Sequence, residues 1–417
     1  MSDKNKTGKL QKSFRKRFVI VVVILIAILI VAGIKTKLPK IAFPSDIPID
    51  ELTPMDAKAS LIDGEYEYLV VKKGDMDDEY ITSYINSLDC IYEKTIAGNQ
   101  IYKVRNANYN SLMELYESGK ISKEELDKKV EEITRDTGLK VRDITISLSG
   151  KNNPVAKELN QFMVLNDQHS LLTYGESTEE NHEVIDTRYS QMFVTPTGVH
   201  SEDCWQNISA IIDTFDVDGI LMAGDMIDFE SEANYHFFKK GLEKIKTPIL
   251  YARADHDKGL WYQADDSTSS AEDLGLENED VMYWDMDSYY ILAWNNSTSQ
   301  MTEKGLATAK EIYAKGKPII LMTHVPLCPT EDMGLVEAAK AFDDKDRVKL
   351  WGNNCLYMPN DTTQEFLDLI YEENSLIKAV ISGHLHFEYT GKLTENAIQY
   401  VLAPTFEGNM TRVKVTE

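Results

Sequence analysis

Positive charge is scarce in this 417-residue chain: 44 Lys and Arg stand against 68 Asp and Glu, a formal net charge of −24. The deficit is uneven. Lys4, Lys6, Lys9, Lys12, Arg15, Lys16 and Arg17 all fall in the first 17 residues, opposed only by Asp3. The remainder is more acidic still, and such a body repels polyphosphate backbones, so general nucleic-acid binding is disfavoured. A small phosphorylated ligand is not excluded, because bound cations invert the local field. Cysteine is also sparse. Cys90, Cys204, Cys328 and Cys355 contain no CxxC spacing, which sets cysteine aside as a metal ligand. Cys328 and Cys355 share the stretch after His324 and form the pair to watch for a disulfide, with free thiols the equal alternative. Internal repeats and low-complexity tracts are absent from the sequence.

A long unbroken apolar run occurs at Phe18 to Ile34, FVIVVVILIAILIVAGI. It falls at the short end of the ~17–25 residues that span a bilayer. The cations before it predict an uncleaved single-pass anchor in the cell membrane, N-terminus cytoplasmic and the rest extracellular. A cleaved signal peptide is the rival reading. The expected organisation is a basic tail over 1–17, the anchor over 18–34, a proline-bearing linker over 35–60, a small α+β domain over 61–150 and a larger domain over 160–417.

In the small domain, Tyr66 to Lys73 reads as a strand, Asp77 to Leu88 as a helix, and Cys90 to Ala97 with Ile101 to Arg105 as a hairpin. A helix over Asn110 to Thr137 restarts at a Ser122/Glu125 capping box, and Val141 to Ser147 is the last strand. That β-α-β-β-α-β order is ferredoxin-like. From Gln161 onward, short apolar strands alternate with amphipathic helices expected at Glu202 to Phe215, Glu232 to Ile245, Thr302 to Ala314 and Thr362 to Glu373. The alternation predicts an α/β fold on parallel strands, with a more antiparallel second sheet from strand pairs near Val281 to Trp294 and after Phe387. Residues 263–280 and 328–361 are long irregular insertions of the kind that shape a site or a lid. Trp261 and Tyr262 beside the first and Trp351 within the second are candidates to stack on a ligand or to pin the loops.

Chemistry concentrates where apolar runs end. Gln161 to Asn166 leads into Asp167-Gln168-His169, and Gly219 to Ala223 into Gly224-Asp225-Met226-Ile227-Asp228. Pro248 to Ala254 leads into Asp255-His256-Asp257, Pro318 to Thr323 into His324-Val325-Pro326, and Lys378 to Ser382 into Gly383-His384-Leu385-His386. Five of the eight histidines lie in these segments. Side chains at the C-terminal ends of several strands converge on one sheet edge, and mixed imidazole and carboxylate ligands there suit divalent metal. Asp225 is the natural bridging carboxylate, with Gly224 letting the backbone crowd the ions.

In this order, D-x-H, G-D-x-x-D, a G-N-H-D-like segment, H-x-P and G-H-x-H resemble the calcineurin-like metallophosphoesterases over roughly residues 160–417. The resemblance implies an α/β two-sheet sandwich flanked by helices, here preceded by a transmembrane helix and the small ferredoxin-like domain. It implies two divalent ions (Mn, Fe or Zn) and hydrolysis of a phosphomonoester or phosphodiester by an activated water. Asp167, His169 and His386 would bind the first metal, Asp225 would bridge, and Asp255, His324 and His384 would bind the second. His256 matches the histidine that holds phosphate and protonates the leaving group, and Asp228 its acidic partner. The partners expected are a phosphorylated small molecule or envelope component and the membrane, with no nucleic acid. Two positions depart from the family pattern. Ala254 and Asp255 stand where the family has Gly-Asn, which adds a negative charge and removes an amide donor. Asp228 stands where purple acid phosphatases carry a metal-binding tyrosine, which argues against an iron–tyrosinate centre. The alternatives are a degenerate module that holds phosphate polymer without cutting it and, less favoured by the acidic surface, a nuclease.

Overall fold

The structure, a computed structural model, describes residues 58–59, 66–71, 90–96, 99–105 and 111–417, the last without 150–155, 172–178, 231, 258, 260–279, 298–299, 331–332 and 343–347. The basic tail, the Phe18–Ile34 anchor, the Asp77–Leu88 helix and Trp261 and Tyr262 lie outside the described residues. No helix among the described residues is long and apolar enough to cross a membrane.

The first unit holds a four-stranded sheet of β1 (Lys58–Ala59), β2 (Tyr66–Val71), β3 (Cys90–Ile96) and β4 (Asn99–Arg105) in the order β1-β2-β4-β3. The expected hairpin is there, since β3 and β4 are neighbours. The expected last strand of a ferredoxin-like module is not. Beside β2 lies Lys58–Ala59, paired antiparallel. The segment assigned to that role, β5 (Lys140–Ser147), instead pairs in parallel with β15 (Asn409–Thr416) along its whole length, from Lys140↔Asn409 to Ser147↔Thr416. Its apolar residues explain the choice. Ile146 is buried and Ile144 packs in the larger core with Val413 and Val415, each such side chain worth ~1.5–3 kcal/mol on full burial. The helical segment before it also belongs to the second unit. It forms α1 (Leu112–Glu117) and α2 (Lys123–Thr137), with the capping box closed at Ser122 and Glu125.

The second unit is a sandwich of two mixed sheets. One runs β5-β15-β6-β7-β8, with β6 (Glu158–Leu165), β7 (Gly219–Met222) and β8 (Ile249–Tyr251) parallel to one another and β15 antiparallel to β6. The other runs β13-β14-β12-β11-β10-β9. In it β10 (Tyr290–Trp294), β11 (Ile319–Thr323), β12 (Ile377–Ser382) and β14 (Ile398–Val401) are parallel. Its antiparallel edges are β9 (Val281–Asp285) and β13 (Tyr389–Lys392). Alternation along each strand decides which layer it fills. Ile320 and Met322 face the inter-sheet core with Val164, Leu221 and Leu250. Leu321, Leu292 and Val380 face the layer made with α6 (Glu303–Ala314) and α8 (Asp361–Tyr371). The remaining helices are α3 (Glu179–Thr187), α4 (Ser201–Ile211), α5 (Glu232–Leu242) and α7 (Gly334–Phe342). Within the 328–361 insertion, Cys355 is buried with Leu335, Val336 and Leu350, and Cys328 packs against them. The two thiols are unbridged.

Candidate metal centre

Each motif begins at or just past the C-terminal end of a strand: Asp167 and His169 after β6, Asp225 and Asp228 after β7, Asp255 and His256 after β8, His324 after β11, His384 and His386 after β12. Main-chain hydrogen bonds zip these loops together, Asp167 N–H to Gly224 O at 2.9 Å, His169 N–H to Asp225 O at 2.9 Å and Gly383 N–H to His324 O at 3.0 Å. The crowding is severe enough to strain the backbone. Asp167, His169, Asp225, His384 and His386 all have φ between +46° and +70°, a region that non-glycine residues seldom occupy. Glycine is needed at two points. A Cβ on Gly224 would lie 2.6 Å from Ala254 Cβ and 2.9 Å from His324 Nδ1, and one on Gly383 would lie 2.2 Å from Asp167 Oδ2.

Among the described residues, three sets of side chains bring ligand atoms within 4.8 Å of one another: Asp167, His169 and His386; Asp225, His324 and His384; and His169, Asp228 and His256. Asp225 Oδ2 lies 3.0 Å from His324 Nε2 and 3.5 Å from His169 Nε2, between the first two sets. His386 Nε2 is 3.4 Å from Asp167 Oδ1. Ring nitrogens face each other at 3.2 Å in both sets, His169 Nε2 with His386 Nε2 and His384 Nδ1 with His324 Nε2. That separation fits nitrogens sharing one cation at ~2.0–2.1 Å. A buried pocket holding Asp167, Asp225 and Asp228 also requires compensating positive charge. Asp225 Oδ1 has no hydrogen-bond partner at all. These residues therefore fit a pair of cations.

The far sides of His324, His384 and His169 are fixed too, which sets the tautomer. His324 Nδ1 meets the carbonyl of Ala223 at 2.9 Å, and His384 Nε2 meets Tyr357 Oη at 3.3 Å. His169 Nδ1 meets Asp228 Oδ1 at 3.1 Å. Asp228 in turn takes Arg188 Nε at 3.0 Å and Nη2 at 2.5 Å. His256 Nδ1 bonds to the main-chain oxygen of Asp228 at 2.5 Å and lies 3.4 Å from its Oδ1. Asp255 is not in any of the three sets; its Oδ1 accepts from Ser297 Oγ. Asp257 serves the loops, accepting main-chain N–H groups of Asp225, Met226, Ile227 and Ala254 at 2.7–3.2 Å.

The charges follow from these neighbours. Burial disfavours ionising Asp167, but the hydrogen bond and charge of His386 hold its carboxyl down at about 2. Asp228 stays well below the ordinary carboxylate range because Arg188, His169 and His256 outweigh its burial. Burial pushes His169 down to about 4 and, with the charge of His324, His384 down to about 3, so both rings are neutral and ready to ligate. For His256 and His324 burial is overcome by the anionic carboxylates, Asp225 foremost, and both rise to about 10. A ligating His324 must therefore release a proton, and metal affinity falls as pH drops.

Sequence spacing gave no sign of Arg188, Tyr357 or Asn296, whose Oδ1 accepts from the N–H of His324 at 3.0 Å and Val325 at 2.9 Å. Trp351 proves a loop pin: it is buried, its indole N–H donates to Asn296 O, and its ring stacks on Tyr357 at 5.7 Å.

A family model described as calcineurin-like phosphoesterase matches residues 161–388. No curated protein matches the chain. Solved structures to which the chain shows some likeness include a dimetal phosphatase from Danio rerio, 10% identical, covering 60% of this chain and 89% of that one with a TM-score of 0.36. Another is a phosphopantetheinyl hydrolase from Mycobacterium tuberculosis, 12% identical, covering 61% and 92% with a TM-score of 0.29. With the family model spanning more than half of its length, the chain belongs to the calcineurin-like phosphoesterase family and is a metal-dependent phosphoester hydrolase.

Proposed function

We propose that this protein hydrolyses a phosphomonoester or phosphodiester at a dinuclear centre. Asp167, His169 and His386 hold one cation, His324, His384 and Asp255 the other, and Asp225 lies between them. The observation that carries this reading is Asp225 Oδ2, within 3.5 Å of a ring nitrogen from each set, while Oδ1 bonds to nothing. When bound, two divalent cations polarise the phosphoryl oxygens and make water nucleophilic near neutral pH. The chain's own contribution is orientation, phosphate capture and proton delivery. With Nδ1 of His256 engaged by the Asp228 main chain, Nε2 is the nitrogen left to hold a phosphoryl oxygen and protonate the leaving group. The surrounding carboxylates keep that ring charged, and the bound cations work against them. Asp255 adds anionic charge where the family has an amide, which strengthens the hold on the second cation and weakens the hold on the substrate phosphate.

Imidazole and carboxylate ligands suit Mn, Fe and Zn alike. The cation-flanked run Phe18 to Ile34 supports a membrane-anchored enzyme facing outward, acting on a phosphorylated small molecule or envelope component. A second reading, a phosphate-binding module without turnover, draws on Asp255 and predicts that Asp255→Asn creates activity the native chain lacks. The deciding experiment purifies the full chain in detergent with Mn²⁺. It measures metal content beside turnover of a panel of aryl phosphate mono- and diesters. Two metals per chain and turnover that His256→Ala lowers by about 10²–10⁴-fold are expected; an empty chain or an inert panel rejects the proposal.

A further inference from the structure

Arg188 opens the π-helical turn Arg188–Met192, in a stretch of sequence without any motif. Its guanidinium reaches Asp228 with two nitrogens, Nε to Oδ2 at 3.0 Å and Nη2 to Oδ1 at 2.5 Å. This is the planar two-bond match that arginine makes to a carboxylate and lysine cannot. Asp228 is completely buried, so its charge depends on such a partner. The same carboxylate holds Nδ1 of His169 at 3.1 Å and sits 3.4 Å from Nδ1 of His256, whose ring also bonds to the Asp228 main chain. A second route leads from Arg188 to His169. The guanidinium carbon lies 4.9 Å from the centre of the Phe193 ring, and that ring stacks on His169 at 4.4 Å and 3°. One arginine thus braces both the carboxylate on the edge of His169 and the aromatic ring on its face.

We propose that Arg188 is a positioning residue: it locks Asp228, and through it the metal-facing His169 and the phosphate-facing His256, in their working orientation. The inference rests on the dinuclear reading above. Arg188 acts through Asp228 and Phe193. Its effect is to keep Asp228 an acceptor, so that His169 keeps its proton on Nδ1 and its lone pair on Nε2.

The test uses the full chain and the variants Arg188→Met, Arg188→Lys, Asp228→Asn and the double variant Arg188→Met/Asp228→Asn. Mn²⁺ affinity by calorimetry, kcat and KM on an aryl phosphate, and the thermal midpoint are measured for each. Arg188→Met should weaken one Mn²⁺ site and lower kcat, each by about 10–100-fold, with KM within about twofold. Arg188→Lys should recover part of both losses. The double variant should be no worse than Asp228→Asn alone, because both residues act through one element. Wild-type Mn²⁺ affinity and kcat in Arg188→Met would reduce the arginine to a structural ion pair and overturn the proposal. A raised KM with intact kcat would overturn it by making Arg188 a substrate contact. If Arg188→Met does not fold, Arg188→Lys decides by the same readings. A wild-type chain that binds no Mn²⁺ sinks the dinuclear reading. A wild-type chain that binds two Mn²⁺, beside an Arg188→Met chain that binds them equally well, sinks only this inference.

Discussion

The two halves of the metal centre hold their imidazoles by different means. On the side of Asp167 and His386, His169 leans on an ion pair of the buried Asp228 with the half-buried Arg188. On the other side, His324 leans on the main-chain carbonyl of Ala223, and His384 on the hydroxyl of Tyr357. A carboxylate behind an imidazole raises its basicity, whereas a neutral oxygen mainly fixes the tautomer. The first half is therefore breakable by one side-chain change. The second is partly built from backbone, which no substitution removes. Both halves share the strain of left-handed residues next to close-packed glycines.

The largest effect should come from the residue the halves have in common. Asp225→Asn is expected to drop bound metal below two per chain and turnover by on the order of 10⁴-fold, read by elemental analysis and aryl phosphate assay. Retention of both metals would show that the halves do not share a bridge. His256→Ala should lower kcat by about 10²–10⁴-fold while leaving metal content intact, separating proton delivery from metal holding. Next, Asp228→Asn should cost about 10–100-fold in Mn²⁺ affinity, against less than about tenfold for Tyr357→Phe. Equal losses in the two titrations would erase the distinction between charged and neutral support.

The smallest effect concerns what lies behind the first half. Glu202 is buried, its Oε1 accepting from Leu171 N–H at 2.8 Å and its Oε2 from nothing, and burial pushes its carboxyl up to about 8. Its folded pKa lies above the unfolded value, so the native state favours the protonated form. That contribution is complete below about pH 4.5 and is lost as pH rises towards about 8. Glu202→Gln should therefore raise the thermal midpoint at pH 8 relative to pH 5, compared with the native chain. An unchanged difference between the two pH values would show that Glu202 is ionised in place.

Much of this arrangement is legible in the chain. The runs ending in Asp167, Asp225, Asp255, His324 and His384 are too short and apolar for anything but buried strands, and they emerge as β6, β7, β8, β11 and β12. The expected helices at 202, 232, 302 and 362 emerge as α4, α5, α6 and α8 within a few residues. What escaped notice has a common cause. Arg188 has no periodic or spaced companion, and its partner Asp228 is distant in sequence, so only folding brings the two together. Lys140–Ser147 carries a strand pattern that suits either sheet equally. It joins β15, which offers eight matching positions and an apolar layer in which Ile146 is buried.

By itself, then, the amino-acid order determined the strand ends, the ligand types and the glycines at closest approach, because each depends on local pattern and on the chemistry of single side chains. The tertiary structure alone decided which strand pairs with which, which carboxylate oxygen falls between two imidazoles, and which arginine stands behind them. Those outcomes depend on distances between remote segments, and such distances exist only once the two sheets have packed.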